Sequence, residues 1–413
     1  MRILHAINQV CGRAGAEVSL REIVIHSTGE LDHAIVVLRP EPNDLVPFEK
    51  VGVPCYVPAA TVGGRLSSIQ HVRSAIRDFR PDLIHTSLFD ADLAGRVAAA
   101  LERVPVIASF VNTPYVAEVA ASDRATGKKL RVVRLIDGFL ARHLTHGFHA
   151  ISHAAADHAV EQLRIPRHAV RVVPRGRSRE ALGERTPQRR MSVRQRHGWG
   201  NRPVILNVAR EEPQKGQRFL ISALPSVLER RPDTLLVIAG RAGRSSAHLD
   251  AGIRDLGIGG SVQRLGVRTD VADLLSAADV FAFPSLFEGL GGAAVEALGL
   301  GLPIVASDIP ALRELIGDDG GWLVPAGDSE PLAAALDDAL DGGEEVQRRS
   351  RAAREAFERT YELDRCLDGM LALYRDIEMQ HDETTPKRRL RGAPPFRLAL
   401  VEGHPHREPG SGA

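Results

Sequence analysis

Short runs of apolar and β-branched residues recur along the first part of the chain, separated by longer stretches with helical spacing. Arg2–Ile7, Ala34–Leu38, Asp82–His85, Val104–Ser109, Gly147–Ile151 and Val170–Val173 predict strands, and Ala16–Thr28, Leu66–Phe79 and Ala91–Leu101 predict helices between them. Ala34-Ile35-Val36-Val37-Leu38 is apolar without alternation, which fits a strand buried on both faces. Such strands alternating with helices predict a parallel sheet covered on both sides. The pattern breaks at Pro174–Gly200, where many Arg residues stand with Gly176, Gly183, Pro187 and Gly198, and this stretch reads as a linker with one short helix.

The alternation then restarts. Strands are expected at Pro203–Val208, Thr234–Ala239, Ser261–Leu265, Val280–Phe283, Pro303–Ala306 and Gly321–Val324. The intervening helices are Gln217–Arg230, Ala247–Leu256, Val271–Ala277, Ala293–Leu300 and Pro310–Ile316, followed by Pro331–Asp341, Glu345–Tyr361 and about Leu363–Asp376. The expected fold class is α/β: two doubly wound, Rossmann-like domains at 1–175 and 201–362, a linker at 176–200, and a disordered tail at 380–413. Two such domains place a cleft between the C-terminal edges of their sheets, where ligands of open α/β sheets bind.

Composition narrows the class. The chain has 413 residues, 25% of them charged, with 53 basic against 52 acidic side chains. That balance argues against a nucleic-acid coat. Cys11, Cys55 and Cys366 stand far apart, so neither a disulfide framework nor a cysteine zinc site is expected. The opening residues Met1–Ile7 are too short and polar for a signal peptide, and no run approaches the ~20 apolar residues of a membrane-spanning helix. A cytoplasmic protein is expected, with peripheral contact at the inner face of the membrane as a further reading. Lys50, Lys128, Lys129, Lys215 and Lys387 are the five lysines in an arginine-dominated chain, so each draws notice.

Three segments carry candidate chemistry. After strand Val280–Phe283 come Glu288-Gly289-Leu290-Gly291-Gly292 and a helix containing Glu296. Glycines at a helix start let backbone N–H groups approach an anion, and the helix dipole favours the same charge. Glu288 and Glu296 would lie on one face, roughly 12 Å apart if helical throughout, straddling that anion site. This suits a nucleotide sugar, with hydroxyls at both ends and a diphosphate between. A capped helix start with two solvated acids stays open beside it. After strand Pro203–Val208 stand Arg210 and Lys215-Gly216, a forked donor and a compact ammonium suited to phosphate, or an ordinary charged loop. Gly12-Arg13-Ala14-Gly15-Ala16-Glu17 makes a glycine turn after the first strand, without the spacing of a dinucleotide fingerprint.

Taken in order, Gly12–Glu17, Pro81–His85, Ala150–Ser152, Val172–Gly176, Arg210 with Lys215-Gly216, Val237–Gly240, Leu265–Val267, the E-x7-E element Glu288–Glu296, Gly301–Ser307 and Gly321–Pro325 resemble a retaining glycosyltransferase of family 4, with the GT-B architecture. The resemblance covers about residues 1–375. It implies that Arg210 and Lys215 bind the donor diphosphate and that Glu296 holds the ribose. Glu288 would meet the donor sugar hydroxyls, and amides around Leu290, Gly291 and Gly292 the sugar or phosphates. Val267 would lie against the base, and Gly15 would let the first domain approach the phosphates. The last helix would cross back onto the first domain. No metal or other cofactor is implied, the nucleotide sugar being a substrate. Many relatives carry a histidine near the reacting carbon where this chain has Val111-Asn112-Thr113, so Asn112 and Thr113 become acceptor-side candidates that hydrogen-bond but do not titrate. That departure keeps a noncatalytic sugar-nucleotide or glycan-binding protein of the same fold open as the alternative. A sugar-nucleotide epimerase or a phosphorylase of this architecture is weighed lower, since a pyridoxal-dependent phosphorylase needs a suitably placed lysine.

Three further signals are weighed. Asp90-Ala91-Asp92 is a D-x-D that reads as helix N-capping rather than a metal site. His143, His146, His149, His153, His158 and His168 are dense, yet they straddle a strand and two helices and read as surface or packed histidines. Arg124–Leu140 is a basic amphipathic helix, with Arg124, Lys128, Arg131 and Arg134 on one side and Val132, Ile136, Phe139 and Leu140 on another. Its apolar face is expected to pack on the first sheet; the second reading lays it on anionic lipid, with a lipid-linked acceptor.

Overall fold

The computed structural model describes residues 1–11, 15–40, 43–59, 64–113, 115 and 124–384, without the side chains of 124–129 and 382–384. Gly12, Arg13 and Ala14 of the first glycine turn, the side chains of Arg124 and Lys128, and the expected tail from 385 onward lie outside the described residues.

Strands β1 (Arg2–Ile7), β2 (Asp32–Val37), β3 (Cys55–Tyr56), β4 (Leu83–Ser87), β5 (Val106–Phe110), β6 (Gly147–Ala150) and β7 (Val170–Val172) form one sheet in the order β3-β2-β1-β4-β5-β6-β7. Strands β8 (Val204–Val208), β9 (Leu235–Ala239), β10 (Val262–Gly266), β11 (Val280–Phe283), β12 (Ile304–Ser307) and β13 (Trp322–Val324) form the second, in the order β10-β9-β8-β11-β12-β13. Every pairing is parallel. Each order reverses once, between β1 and β4 and between β8 and β11. A crevice opens at such a reversal, because the two flanking loops leave toward opposite faces of the sheet. Among the expected strands, all twelve positions carry one; β3 escaped notice because two residues give no period.

The stretch expected to be a linker is helical instead. It holds the short helix Arg179–Leu182 and the longer Pro187–His197. Its arginines bind the second domain: Arg190 and Arg194 both reach Asp279, at 2.5 and 2.6 Å, while Val193 and Trp199 are fully buried. Arginine-rich composition read as loop because the partners of these side chains are more than eighty residues away in sequence.

The last helix runs Leu363–Thr384, beyond the expected end near Asp376. It lays Met370, Leu371, Leu373, Tyr374 and Ile377 on Ile3, Leu83, Ile107 and Val173 of the first domain. Two chain crossings therefore join the domains, and they run side by side. Arg177 N–H donates to Tyr361 O at 2.9 Å and Leu363 N–H to Arg177 O at 3.1 Å. Gly176 is required here, since a Cβ on it would stand 2.6 Å from Leu363 Cα.

Buried imidazoles stitch the first sheet to this helix. Tyr374 Oη lies 2.7 Å from His85 Nδ1; His85 Nε2 lies 2.5 Å from Ser109 Oγ; Ser109 Oγ lies 2.7 Å from His149 Nδ1; and His149 Nε2 donates to Val173 O at 2.8 Å. Burial, above all, pushes His85 down to about 3 and both His149 and His33 down to about 4, from an ordinary 6.5. Unfolded histidines take up protons as pH falls through 6.5, whereas these do so only near 3 to 4. The unfolded state thus binds more protons across that interval. Stability is complete above the unfolded value and falls as pH drops below it, on the order of 2 kcal/mol for each such group by about pH 5. Urea melts at about pH 7.5 and about pH 5 should show this drop, reduced in His149→Gln; a flat profile would contradict it.

Candidate functional site

The loops after β8 and β11 flank the reversal of the second sheet, and they bring Lys215 and Glu288 together. Lys215 Nζ donates to Glu288 Oε1 at 2.5 Å, and Ser285 Oγ donates to the same oxygen at 2.8 Å. Both charged side chains are mostly buried. The ammonium also stands 5.6 Å from the centre of the Phe283 ring. Gly216 makes the approach possible. It has φ +64°, and a Cβ there would fall 1.8 Å from Pro284 O, so the two loops touch backbone to backbone. Leu286 N–H donates to Gln214 O at 2.8 Å, closing the contact.

The glycine-rich segment leads into the helix Gly292–Gly299. Glu288 therefore precedes the helix, and only Glu296 lies on it, so the single helical face expected for the two acids is corrected. The irregular loop Phe287–Gly291 leads into the helix start instead. Gly291, at φ 97°, is the N-cap residue and offers no side-chain cap. The N–H groups of Leu290 and Gly291 have no acceptor among the described residues, which leaves donors aimed from a dipole's positive end. Glu296 accepts from Arg177 Nε at 2.8 Å, and the same guanidinium would stand 2.7 Å from a Cβ on Gly292. Arg177 thus reaches from the domain crossing onto the helix Gly292–Gly299.

Arg210 is exposed, and its guanidinium has no ion-pair partner among the described residues. Its loop is fixed from behind, where Glu211 is buried against Arg264 and Gln217 donates to Arg210 O at 3.0 Å. Val267 stands exposed just past the end of β10. Arg210 and Val267 therefore share the cleft edge with Lys215.

The first domain supplies the opposite wall. Val111 and Asn112 lie against Gly289, where a Cβ would be 2.9 Å from Asn112 Cα and from Val111 O. Thr113 Oγ1 is buried with no hydrogen-bond partner, and Asn112 is exposed. Ser152 caps the helix His153–Leu163 and donates through Oγ to Gly289 O at 2.5 Å. Glu314 of the second domain accepts from the N–H groups of His153 and Ala154, at 2.8 and 3.0 Å. Gly15 opens the first helix, Gly15–Ser27, and a Cβ on it would stand 3.1 Å from Arg175 Nη1. Sequence reasoning assigns no role to Arg175, Arg177, Ser152 or Ser285, although Arg175 and Ser152 stand in segments that carry the resemblance. The signal available for the first two was a pair of arginines around a glycine at a strand's C-terminal end.

Other expectations need correcting. The helix Phe89–Glu102 has Leu88 as its N-cap, without a side-chain cap. Asp92, in the first turn, accepts from Thr86 Oγ1 at 2.5 Å and is pushed by burial up to about 7. The D-x-D is thus no N-cap, because the helix starts before it. Among the described residues no group of three or more His, Cys, Asp or Glu could hold a metal ion. The basic helix, Arg124–Leu144, does not bury the expected face. Val132, Leu135, Ile136 and Phe139 are 58, 68, 45 and 55% exposed, whereas Asp137 is buried on Arg96 at 2.5 Å. That ion pair turns the helix so that its apolar stripe faces outward.

Comparisons with known proteins fit this geometry. The family profile of the glycosyl transferase 4-like domain matches residues 14–176, and that of the glycosyl transferases group 1 matches 190–356. A phosphatidyl-myo-inositol mannosyltransferase from Mycolicibacterium smegmatis is 35% identical over 167 residues, which cover 40% of this chain and 42% of that protein. An alpha-D-kanosaminyltransferase from Streptomyces kanamyceticus is 28% identical over 242 residues, covering 55% and 62%. The chain thus spans less than two thirds of the curated relatives' length. HepE from Anabaena, solved in complex with UDP and glucose, superposes with a TM-score of 0.79 at 21% identity, over 91% of this chain and 100% of that one. WaaG, a glycosyltransferase involved in lipopolysaccharide biosynthesis, gives 0.69 at 17% identity, over 93% and 100%. These two likenesses establish the shared fold.

Proposed function

Because the chain belongs to the family 4 type of glycosyltransferases, with the GT-B fold, we propose that it moves a sugar from a nucleotide-diphosphate sugar to a hydroxyl acceptor, with retention, in glycan, glycolipid or cell-envelope polysaccharide synthesis. The observation that carries this reading is the Lys215–Glu288 pair beside the open N–H groups at Leu290 and Gly291, set where the second sheet reverses. The donor diphosphate takes Lys215 and Arg210 as its fixed cations, and the amides of the helix start complete the cradle. Glu288, released from Lys215, accepts from sugar hydroxyls. Glu296 accepts from the ribose once Arg177 turns toward phosphate. Val267 lies along the base.

In the reaction the bond between the anomeric carbon and the phosphate oxygen breaks, and its electrons stay on the leaving diphosphate. The acceptor oxygen bonds to that carbon on the same face, and its proton passes to a phosphate oxygen. Positive charge develops on the sugar and negative charge on the diphosphate. Preorganised cations and amides stabilise the latter without reorganising. Asn112 and Thr113 border the acceptor side and orient hydroxyls rather than exchange protons.

The test is release of nucleoside diphosphate from a panel of UDP-, GDP-, ADP- and TDP-sugars, with and without chelator, alongside calorimetric binding of the free diphosphates. One donor turned over unchanged by chelator supports the reading. A folded protein that binds a diphosphate but never turns a donor over would favour the noncatalytic alternative.

The outward stripe Val132, Leu135, Ile136 and Phe139, flanked by exposed Arg131 and Arg142, suits the headgroup region of an anionic bilayer. A mannosyltransferase relative is named for a phosphatidylinositol acceptor, and a lipid-linked acceptor would explain such a stripe here. No helix among the described residues is long and apolar enough to cross a membrane. Wild-type protein should co-sediment with phosphatidylglycerol-containing vesicles, and Leu135→Glu with Phe139→Glu should weaken this about tenfold or more, since each buried side chain contributes roughly 1.5–3 kcal/mol. Equal binding by both proteins would contradict the contact.

A further inference from the structure

A cavity opens at the C-terminal edge of the first sheet, between the first helix, Gly15–Ser27, and the last, Leu363–Thr384. It lies on the opposite side of the cleft from the Lys215–Glu288 pair. Val111 lines it, so it is continuous with the loop that seats Asn112 on Gly289. Its lining includes the mutually hydrogen-bonded Ser109, His85 and His149, together with Ser19 and Ser87. Its far wall is apolar, from Leu363, Leu367 and Met370.

Arg175 also lines this cavity. Its guanidinium has neither an ion pair nor a hydrogen bond among the described residues. The neighbouring side chains explain its poor setting. Gly15 lies close beneath it, since a Cβ there would stand 3.1 Å from Nη1. Arg177, two residues on, adds like charge and is itself taken by Glu296. Burial and that like charge push Arg175 down to about 9 from an ordinary 12.5. Glu22 is the one carboxylate on the lining, and it is held by Arg21 at 3.3 Å and His26 at 3.6 Å. A guanidinium in a partly desolvated wall without a counter-charge is costly unless a ligand supplies one. The imidazoles of His85 and His149 are held neutral by burial and spend their ring nitrogens on Tyr374, Ser109 and Val173, so they do not compete as cations.

We propose that this cavity is the acceptor pocket and that it takes an acceptor bearing a phosphate or carboxylate, with Arg175 forking onto the anionic group while Ser19 and Ser87 meet its hydroxyls. The inference rests on the transferase reading and adds the acceptor's chemical class to it. The anion places the acceptor's free hydroxyl toward Val111 and Asn112, at the mouth that faces the donor. Arg175 is here a specificity residue, and neutral sugars lack its partner. The competing source of the anion at this guanidinium is a phosphate of the donor.

Calorimetry on the full chain separates the two sources. The protein is first saturated with whichever nucleoside diphosphate it binds best, which fills the Lys215 site, and is then titrated with glycerol 3-phosphate, inorganic phosphate and glycerol. Binding of both phosphates but not glycerol is expected. Arg175→Gln should lose it about tenfold or more, Arg175→Lys less, with nucleotide affinity changed under about twofold. If Arg175→Gln weakens the nucleoside diphosphate as Lys215→Ala does, the arginine serves the donor and the proposal falls. If the saturated wild-type protein binds no phosphate, it also falls, while nucleotide binding and donor turnover still stand as the separate measure of the transferase reading.

Discussion

Lys215→Ala lowers kcat/KM for sugar transfer by about two to three orders of magnitude, the usual cost of removing one preorganised partner of a developing negative charge. The size follows from the setting. Lys215 is mostly buried, 2.5 Å from Glu288, and Gly216 fixes its backbone against Pro284. The backbone that carries the ammonium is already in place, and only its bond to Glu288 has to be exchanged for the phosphate. The substitution has a second consequence, because it strands the Glu288 carboxylate in a buried setting with Ser285 as its one remaining donor. An uncompensated buried charge costs about 3–5 kcal/mol of stability. The double variant Lys215→Ala with Glu288→Gln removes that penalty. It should regain most of the lost urea stability and none of the transfer activity. Recovery of activity in the double variant, or unchanged nucleoside diphosphate affinity in the single one, would show that Lys215 serves the fold alone.

Gly289→Ala separates closure of the cleft from donor binding. An added Cβ meets Asn112 Cα and Val111 O at 2.9 Å, and both are backbone atoms that cannot swing aside. Gly289 has no left-handed φ, so alanine suits its own loop and the conflict lies wholly between the domains. The methyl wedges Val111 and Asn112 away and lengthens the Ser152 bond to Gly289 O. Misplacement of about 1 Å between reacting groups costs about a hundredfold in rate. Expected, then, is a drop of about that size in kcat/KM with nucleoside diphosphate affinity kept within about twofold. Gly216→Ala is the contrasting control, since its Cβ falls 1.8 Å from Pro284 O within the second domain and so damages donor binding itself. A Gly289→Ala enzyme of full activity would mean that transfer does not use this closed arrangement.

The second-domain half of the candidate site could be read from the chain because its parts are local. Glu288, the glycines and Glu296 fall within nine residues, and Arg210 and Lys215 within six, each just past a strand with a clear apolar period. Both doubly wound sheets were legible for the same reason. What escaped were contacts between distant segments. Arg177 meets Glu296 across 119 positions and Ser152 meets Gly289 across 137, and no spacing rule reaches that far. The helix Arg124–Leu144 misled for a related reason. Its apolar stripe is real, but the buried Arg96–Asp137 pair decides which side faces inward. A one-dimensional period gives the stripe and not its orientation. The linker reading failed likewise, since Arg190 and Arg194 look solvated until Asp279 is in place.

The last helix carries a consequence for biosynthesis. The ribosome delivers β1 to β7 first, yet Ile3, Leu83, Ile107 and Val173 stay uncovered until Met370–Ile377 emerges, after the whole second domain. His85 waits as long for Tyr374. The half of the protein made first is therefore the half finished last. A nascent chain holds an apolar sheet face open through most of translation, which is the interval in which a chaperone is of most use. A fragment cut between the two domains would leave that face bare, so neither half is separable at a single boundary.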